Sequence, residues 1–347
     1  MPSPDPAAIP EGNKPTNAAD RAAGILPADY VARVRSDFDG HSGLADRVLA
    51  STATESPRGL RINTLRGGVE DVVARLEGDG LAGDPVPWAD WARVVDPAAA
   101  RRLTDTDAWR DGLVVLQSLS SMLAVIALDP KPDERILDLC AAPGGKSALI
   151  AALAGGRVDL LANDRSRRRC LRMRALLDAL AVTARIRTGP GERLPARDLG
   201  TFDRVLVDAP CSGEGRFRVD DPGTHATWSK KAVRRLASLQ KSLLHAAIAA
   251  VRPGGVVVYS TCTLGREENE AVVARALHRF GDGPTGIELE AVSSSIPKGL
   301  PLLGDPVDLD ETAMRRFAPD PEGDHVAAAT EGFFLARLRR RGGERVA

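Results

Sequence analysis

Arg135-Ile136-Leu137-Asp138-Leu139-Cys140-Ala141-Ala142-Pro143-Gly144-Gly145-Lys146 runs from a short apolar strand through a turn of small residues into a helical stretch from Ser147 to Leu153. A strand, a glycine turn and a helix N-terminus together offer backbone N–H groups to a nucleotide-like ligand. Downstream, Asp159-Leu160-Leu161-Ala162-Asn163 reads as a second strand that ends at Asp164, about twenty-five residues past Leu139. At that spacing an acidic side chain reaches ribose hydroxyls, which suits an adenosine-containing cofactor. Arg204-Val205-Leu206-Val207, closing at Asp208, and Val256-Val257-Val258-Tyr259 are the apolar runs expected of buried parallel strands. Val233, Leu236, Leu243, Leu244, Ala247 and Val251 fall largely on one helical face before Pro253-Gly254-Gly255. Strand, turn and helix in repetition from residue 113 predict an open α/β domain with a mostly parallel sheet. Its ligands bind outside the carboxyl ends of the strands, where the glycine loop, Asp164, Asp208, Cys211 and Cys262 are expected to gather.

The thiols are the second signal. Asp208-Ala209-Pro210-Cys211-Ser212-Gly213-Glu214-Gly215 and Ser260-Thr261-Cys262-Thr263 each bring a cysteine to a strand end among residues that build exposed turns. Cysteines after strands are commonly inert small hydrophobes, the reading that Cys140 and Cys170 receive from their surroundings. Cys211 and Cys262 instead read as accessible, activatable thiols, one to attack and the other to help release. Gly144-Gly145-Lys146-Ser147 also ends like the phosphate loop of an NTPase. That loop needs a glycine five residues before its second glycine, and Cys140 stands there.

Outward from this region the chain is less specific. Residues 1–26, rich in Pro, Ala and Asp, read as a disordered leader. Residues 27–112 read as a small α+β domain: a helix near Tyr30 to Phe38, a strand at Leu60-Arg61-Ile62-Asn63, a helix from Val69 to Leu76, and a loop holding Trp88 and Trp91. The 347 residues carry 47 Lys+Arg against 47 Asp+Glu, so an acidic polymer must be held by local basic patches. Candidates are Arg165, Arg167, Arg168, Arg169, Arg172 and Arg174, otherwise a solvated helix face, and Arg216, Arg218, Lys230, Lys231, Arg234, Arg235 and Arg339-Arg340-Arg341. Trp228 is placed either to stack on a splayed base or to pack. Four cysteines without a C-x-x-C disfavour a zinc knuckle or a disulfide scaffold and suit a reducing cytoplasm. His225, His245, His278 and His325 lack metal-ligand spacing, and the sequence has neither a secretory leader nor a membrane-length apolar run.

Asp138 to Lys146, Asp208 to Gly215, and Tyr259-Ser260-Thr261-Cys262-Thr263-Leu264 followed by Glu267-Glu268-Asn269-Glu270 resemble the motifs of the Nop/Sun family of RNA cytosine-C5 methyltransferases. The Gly-Glu-Gly and Glu-Glu-Asn-Glu segments are most similar to the bacterial small-subunit ribosomal RNA methyltransferase F type. The resemblance covers residues 27–340, including Arg61-Ile62-Asn63-Thr64, Gln117 to Met122 and the closing Gly332-Phe333-Phe334-Leu335-Ala336-Arg337-Leu338. In F-type relatives, further RNA-binding domains follow that closing strand.

The resemblance implies a Rossmann-like class I methyltransferase domain over residues 113–347, an N-terminal domain that docks RNA, and S-adenosylmethionine as cofactor. Cys140, Ala141, Ala142, Pro143, Gly144, Gly145 and Lys146 would surround its methionine part and Asp164 its ribose, with Arg169 and Asp208 also at the cofactor. Cys262 would be the nucleophile at C6 of cytosine, Cys211 would assist release, and Asp208 would bind the base edge. Ribosomal RNA is the expected substrate. Transfer RNA, or an assembly factor that binds RNA without turnover, are the alternatives. Departures from the pattern are Thr188-Gly189-Pro190-Gly191-Glu192, where the family has Asp-Gly-Arg, and Gln117-Ser118, where it has Gln-Glu. Glu192 is the candidate substitute at the first, and a carboxylate is missing at the second.

Overall fold

Three helices, α1 (Ala18–Ile25), α2 (Ala28–Asp37) and α3 (Leu44–Ser51), open the described part of the chain in the computed structural model. The described residues are 17–41, 43–283, 286–300, 302–303, 310–320 and 324–342. The expectation of a leader through residue 26 is corrected from residue 17 onward, and residues 1–16 lie outside the described residues. The Asn17 side chain caps α1 by accepting from the Asp20 N–H at 2.9 Å. The small face of Ala19, Ala22 and Leu26 is buried with Tyr30, Val34 and Phe38 against Phe217, Val219 and Leu264. A run of small residues without obvious periodicity thus still carries one buried stripe.

Next come β1 (Arg58–Ile62), α4 (Val69–Gly78), β2 (Asp84–Val86), β3 (Ala89–Val95), α5 (Pro97–Leu103), α6 (Asp107–Arg110) and β4 (Val114–Leu116). The strands form an antiparallel sheet in the order β2-β3-β1-β4. Two boundaries move. Trp91, expected in a loop, lies within β3, and the N-terminal sheet runs on to Leu116 because Leu60 pairs with Leu116. Asn63 ties this sheet to its neighbour, its Nδ2 donating to the carbonyls of Gly112 at 2.9 Å and Leu180 at 3.0 Å.

The second unit contains α7 (Leu119–Leu128), β5 (Arg135–Asp138), α8 (Gly145–Leu153), β6 (Asp159–Asp164), α9 (Arg167–Ala179), β7 (Arg185–Thr188), β8 (Phe202–Asp208), α10 (Lys230–Ala250), β9 (Val251–Thr261), α11 (Glu270–Phe280), β10 (Ile287–Leu289), β11 (Met314–Phe317), α12 (His325–Ala328) and β12 (Phe333–Arg340). The sheet order is β10-β12-β9-β8-β5-β6-β7, with β11 paired to β12. β5 to β9 are mutually parallel, whereas β12 enters antiparallel to β9. This is the Rossmann-like class I methyltransferase fold, with the parallel sheet read from sequence. Both faces are covered: Ile136, Leu206 and Val258 join one core, and Leu137, Val205, Val207, Val257 and Tyr259 the other. Continuous apolar runs are what such two-sided burial requires. The chain leaves β5 toward β6 and β7, then returns to build β8 and β9 on β5's other side, so the crevice opens at the ends of β5 and β8. Among the described residues no helix is long and apolar enough to cross a membrane.

Candidate active site

A cleft of about 1760 Å³ opens at that switch point. Cys140, Ala141, Ala142, Pro143, Gly145, Lys146, Asp164, Arg169, Asp208, Cys211 and Cys262 all line it. Gly144 does not. It turns toward α9 with φ +112°, and a Cβ there would stand 3.0 Å from Met173 Cγ.

The loop after β5 is held from several sides. Ala141 N–H donates to the Asn163 carbonyl at 2.8 Å, and Asn163 Nδ2 donates to the Leu139 carbonyl at 2.8 Å. Arg169 pairs with Asp164 at 3.0 Å and also donates to the Ala142 carbonyl, so its charge bridges the loop to the end of β6. Asp138 is fully buried and accepts from Ser147 Oγ at 2.6 Å through one oxygen, while its other oxygen, Oδ1, has no partner. Burial pushes its carboxyl up to about 7. Across the loop, Glu192 lines the cleft. Its segment is supported from below by Arg187, which donates to Asn163 Oδ1 at 2.6 Å and to the Arg193 carbonyl at 2.9 Å.

The two thiols meet, with Cys211 Sγ and Cys262 Sγ 3.2 Å apart and the Cys262 N–H donating to Cys211 Sγ at 3.3 Å. The hydrogen bond between them, together with burial, holds Cys211 protonated well above the usual thiol range. The same bond lowers Cys262, assisted by the Arg216 cation and opposed by burial. Asp208 stands beside them, accepting from Lys146 Nζ at 2.7 Å and Ser260 Oγ at 3.0 Å. Lys146 also donates to Ser121 Oγ at 3.0 Å and lies 5.7 Å from the centre of the Phe333 ring.

Two carboxylates fix the thiol turns in a reciprocal brace that residue spacing did not reveal. Glu214, from the first turn, accepts from the Leu264 and Gly265 N–H groups of the second at 3.2 and 3.0 Å. Glu268, from the second, accepts from the Ser212 N–H of the first at 3.0 Å and from Gln240 Nε2 at 2.8 Å, and also binds the Ser212 hydroxyl. Glu214 further accepts from Trp228 Nε1 at 2.8 Å and pairs with Arg33 at 2.5 Å. The only sequence signal was the presence of acidic residues just after each cysteine. Gly215 and Gly332 complete the frame: the Gly332 N–H donates to the Gly215 carbonyl at 3.2 Å, and a Cβ on Gly215 would meet the Gly332 oxygen at 1.9 Å.

Several sequence readings change here. The carboxylate absent at Ser118 has a counterpart in Glu331, which lines the cleft with Ser118; burial pushes its carboxyl up. Trp228 is a packing residue, edge-on to Tyr30 at 5.8 Å and engaged by Glu214. Arg339, Arg340 and Arg341 do not reach the cleft. Because β12 runs antiparallel to β9, they fall at the far end of the sheet, where Arg339 donates to Glu290 at 2.6 Å and Arg341 to Glu288 at 2.8 Å. Arg218 is spent on the Thr54 carbonyl at 2.8 Å and on Asp220, and Lys230 on Asp29 at 2.8 Å. Lys231, Arg234 and Arg235 are exposed on α10 but lie outside the cleft lining. Among the described residues no group of His, Cys, Asp and Glu is arranged to hold a metal.

Known proteins place this architecture. Ribosomal RNA small subunit methyltransferase F of Aeromonas salmonicida is 35% identical over 334 residues, covering 91% of this chain and 64% of that protein. The protein of the same description from Salmonella paratyphi C is 37% identical over 305 residues, covering 85% and 59%. The chain therefore spans roughly three-fifths of the length of these curated relatives. A solved methyltransferase homolog protein from Pyrococcus horikoshii is similar with a TM-score of 0.76 at 28% identity, covering 93% of this chain and 98% of that one. A family model described as 16S rRNA methyltransferase RsmB/F matches residues 125–339, and with the thiol turns, the glycine loop and the sheet order all inside that span, the chain belongs to this family.

Proposed function

We propose that the protein transfers a methyl group from S-adenosylmethionine to C5 of a cytosine in ribosomal RNA, through a covalent bond between Cys262 and C6 of the base. The observation that carries this is the pair of thiols 3.2 Å apart, beside Asp208, in the same cleft as the glycine loop. The names of the relatives support ribosomal RNA as the substrate, and the four free cysteines suit the cytoplasm as the place of action.

The residues fit the cofactor. The unpartnered Asp138 Oδ1 is a buried acceptor suited to an ammonium group, Asp164 stands at the end of β6 for the ribose, and Glu192 offers an acceptor to the adenine amine. When bound, S-adenosylmethionine supplies an electrophilic methyl group. Cytosine C5 is too weak a nucleophile to take it unaided. Attack of the Cys262 thiolate on C6 moves the C5–C6 electron pair onto C5 and makes it one. Asp208 and Lys146, held together at 2.7 Å, present an acceptor and a donor to the base edge, where charge redistributes in this step. Cys211, kept near Cys262 by the brace and held as a thiol, is placed to position a water that takes the C5 proton, so that the C5–C6 double bond re-forms and Cys262 leaves as a thiolate.

The test is transfer of labelled methyl from S-adenosylmethionine to cellular RNA, followed by bisulfite sequencing of RNA from cells lacking the gene. Incorporation together with loss of one ribosomal 5-methylcytosine is expected. No incorporation would reduce the protein to an RNA-binding factor, and an unchanged ribosomal profile with a lost transfer RNA position would reassign the substrate.

A further inference from the structure

A thiol nucleophile needs a means of becoming a thiolate, and no histidine lines this cleft. The carboxylates around Cys262 work against ionisation: Asp208 at the end of β8, and Glu331 just before β12. Glu268, after β9, acts in the same sense on Cys211. Lys146 on α8 is committed to Asp208 at 2.7 Å. One cation next to the nucleophile remains uncommitted. Arg216 lines the cleft, is exposed, and makes no ion pair and no side-chain hydrogen bond among the described residues.

Its backbone neighbour fixes its place. The Gly215 N–H donates to the Cys262 carbonyl at 3.1 Å, and the Gly215 carbonyl accepts from Gly332 at 3.2 Å. Arg216 therefore leaves the chain between the nucleophile on one side and Glu331, adjacent to Gly332, on the other. Arg216, Cys262 and Glu331 all line the same cleft, and the electrostatics agree with this placement: charge on Cys262 is the foremost influence raising the basicity of Arg216, followed, past an opposing burial effect, by Glu331 and then by Cys211 and Asp208.

We propose that Arg216 is a positioning residue for catalysis, adding to the Cys211 hydrogen bond in holding Cys262 as a thiolate, with Glu331 as the counterweight that sets how far the guanidinium favours the charged sulfur. In this ionisation the Cys262 S–H bond breaks, the proton passes to solvent water, and the electron pair left on Sγ faces the Arg216 cation. The same pair then forms the bond to C6. This rests on the reading of Cys262 as nucleophile, yet it has a readout that requires neither RNA nor cofactor.

The experiment is the pH dependence of iodoacetamide alkylation at Cys262, followed peptide by peptide by mass spectrometry in the full chain. For Arg216→Gln the midpoint should rise by about one pH unit, slowing alkylation at pH 7 roughly ten-fold, and Arg216→Lys should restore most of the rate. Glu331→Gln should move the midpoint the opposite way, which keeps the idea testable if Arg216→Gln fails to fold. Unchanged midpoints, or shifts of the same sign in Arg216→Gln and Glu331→Gln, would overturn the proposal. If the midpoints do not move but Cys262→Ala still abolishes methyl transfer, only the activating role falls. If Cys262→Ala retains transfer, the functional reading itself falls.

Discussion

At the scale of single residues the two thiols and Asp138 carry the sharpest expectations. Cys262→Ala should abolish methyl transfer, whereas Cys211→Ala should accumulate a protein–RNA adduct that survives denaturing electrophoresis; an adduct with Cys262→Ala instead would exchange the two roles. Asp138 has a folded-state carboxyl near 7, above its ordinary value, because burial disfavours the charge. A raised carboxyl contributes stability at low pH, and that contribution is lost as pH climbs through the folded value near 7. Asp138→Asn should therefore raise the Tm of the ligand-free protein at pH 8 and leave it nearly unchanged at pH 4. The same variant should bind S-adenosylhomocysteine at least ten-fold more weakly by calorimetry, since the buried carboxylate charge facing the ammonium is lost and one acceptor oxygen becomes a donor NH2. Strand-end position was enough to find Asp164 and Asp208 in the sequence, but not Asp138, whose role shows only in its burial and its unpartnered oxygen. Nor was it enough to find Glu331, which shares the cleft with Ser118 only because β12, which follows it some two hundred residues further along the chain, is inserted antiparallel beside β9.

Among elements, the thiol turns behave as one object. Glu268→Ala would leave the Ser212 N–H and Gln240 without their acceptor in a buried setting, at a cost of about 3 kcal/mol. Urea unfolding should show that loss, and combining Glu268→Ala with Ser212→Ala should cost less than the sum of the two, because they share one network. Gly215→Ala should be harsher on activity than on the fold: its Cβ collides with the Gly332 carbonyl, and relieving the clash moves the turn that carries Cys211. Strands and helices were legible because two-sided burial writes continuous apolar runs and one-sided burial writes a helical stripe. The brace was not legible, since a carboxylate that caps another loop's N–H groups has the same local spelling as one facing solvent. Trp91 was misread for a related reason: an aromatic among Pro, Asp and Ala resembles a loop until its pairing partner is known.

For the whole molecule, net neutrality hides an uneven surface. Arg165, Arg167, Arg168, Arg172 and Arg174 are exposed and without ion pairs among the described residues, and Arg165 stands at the cleft rim. Replacing Arg167, Arg168 and Arg172 with Gln should weaken RNA binding across sequences and flatten its salt dependence, by about 0.7 in slope for each single-strand phosphate that is no longer neutralised. An unchanged slope would remove this face from the RNA path. The terminal arginines should give no such effect, being engaged at the other end of the sheet. A different consequence follows from the opening helices, whose buried faces rest on Phe217, Val219 and Leu264 and whose Arg33 holds Glu214, 181 residues later in the chain. During synthesis α1 to α3 leave the ribosome long before any of those partners exists, so this corner of the protein cannot close until Leu264 has been made, and the brace of Arg33 on the thiol turns waits for the first helices to come back.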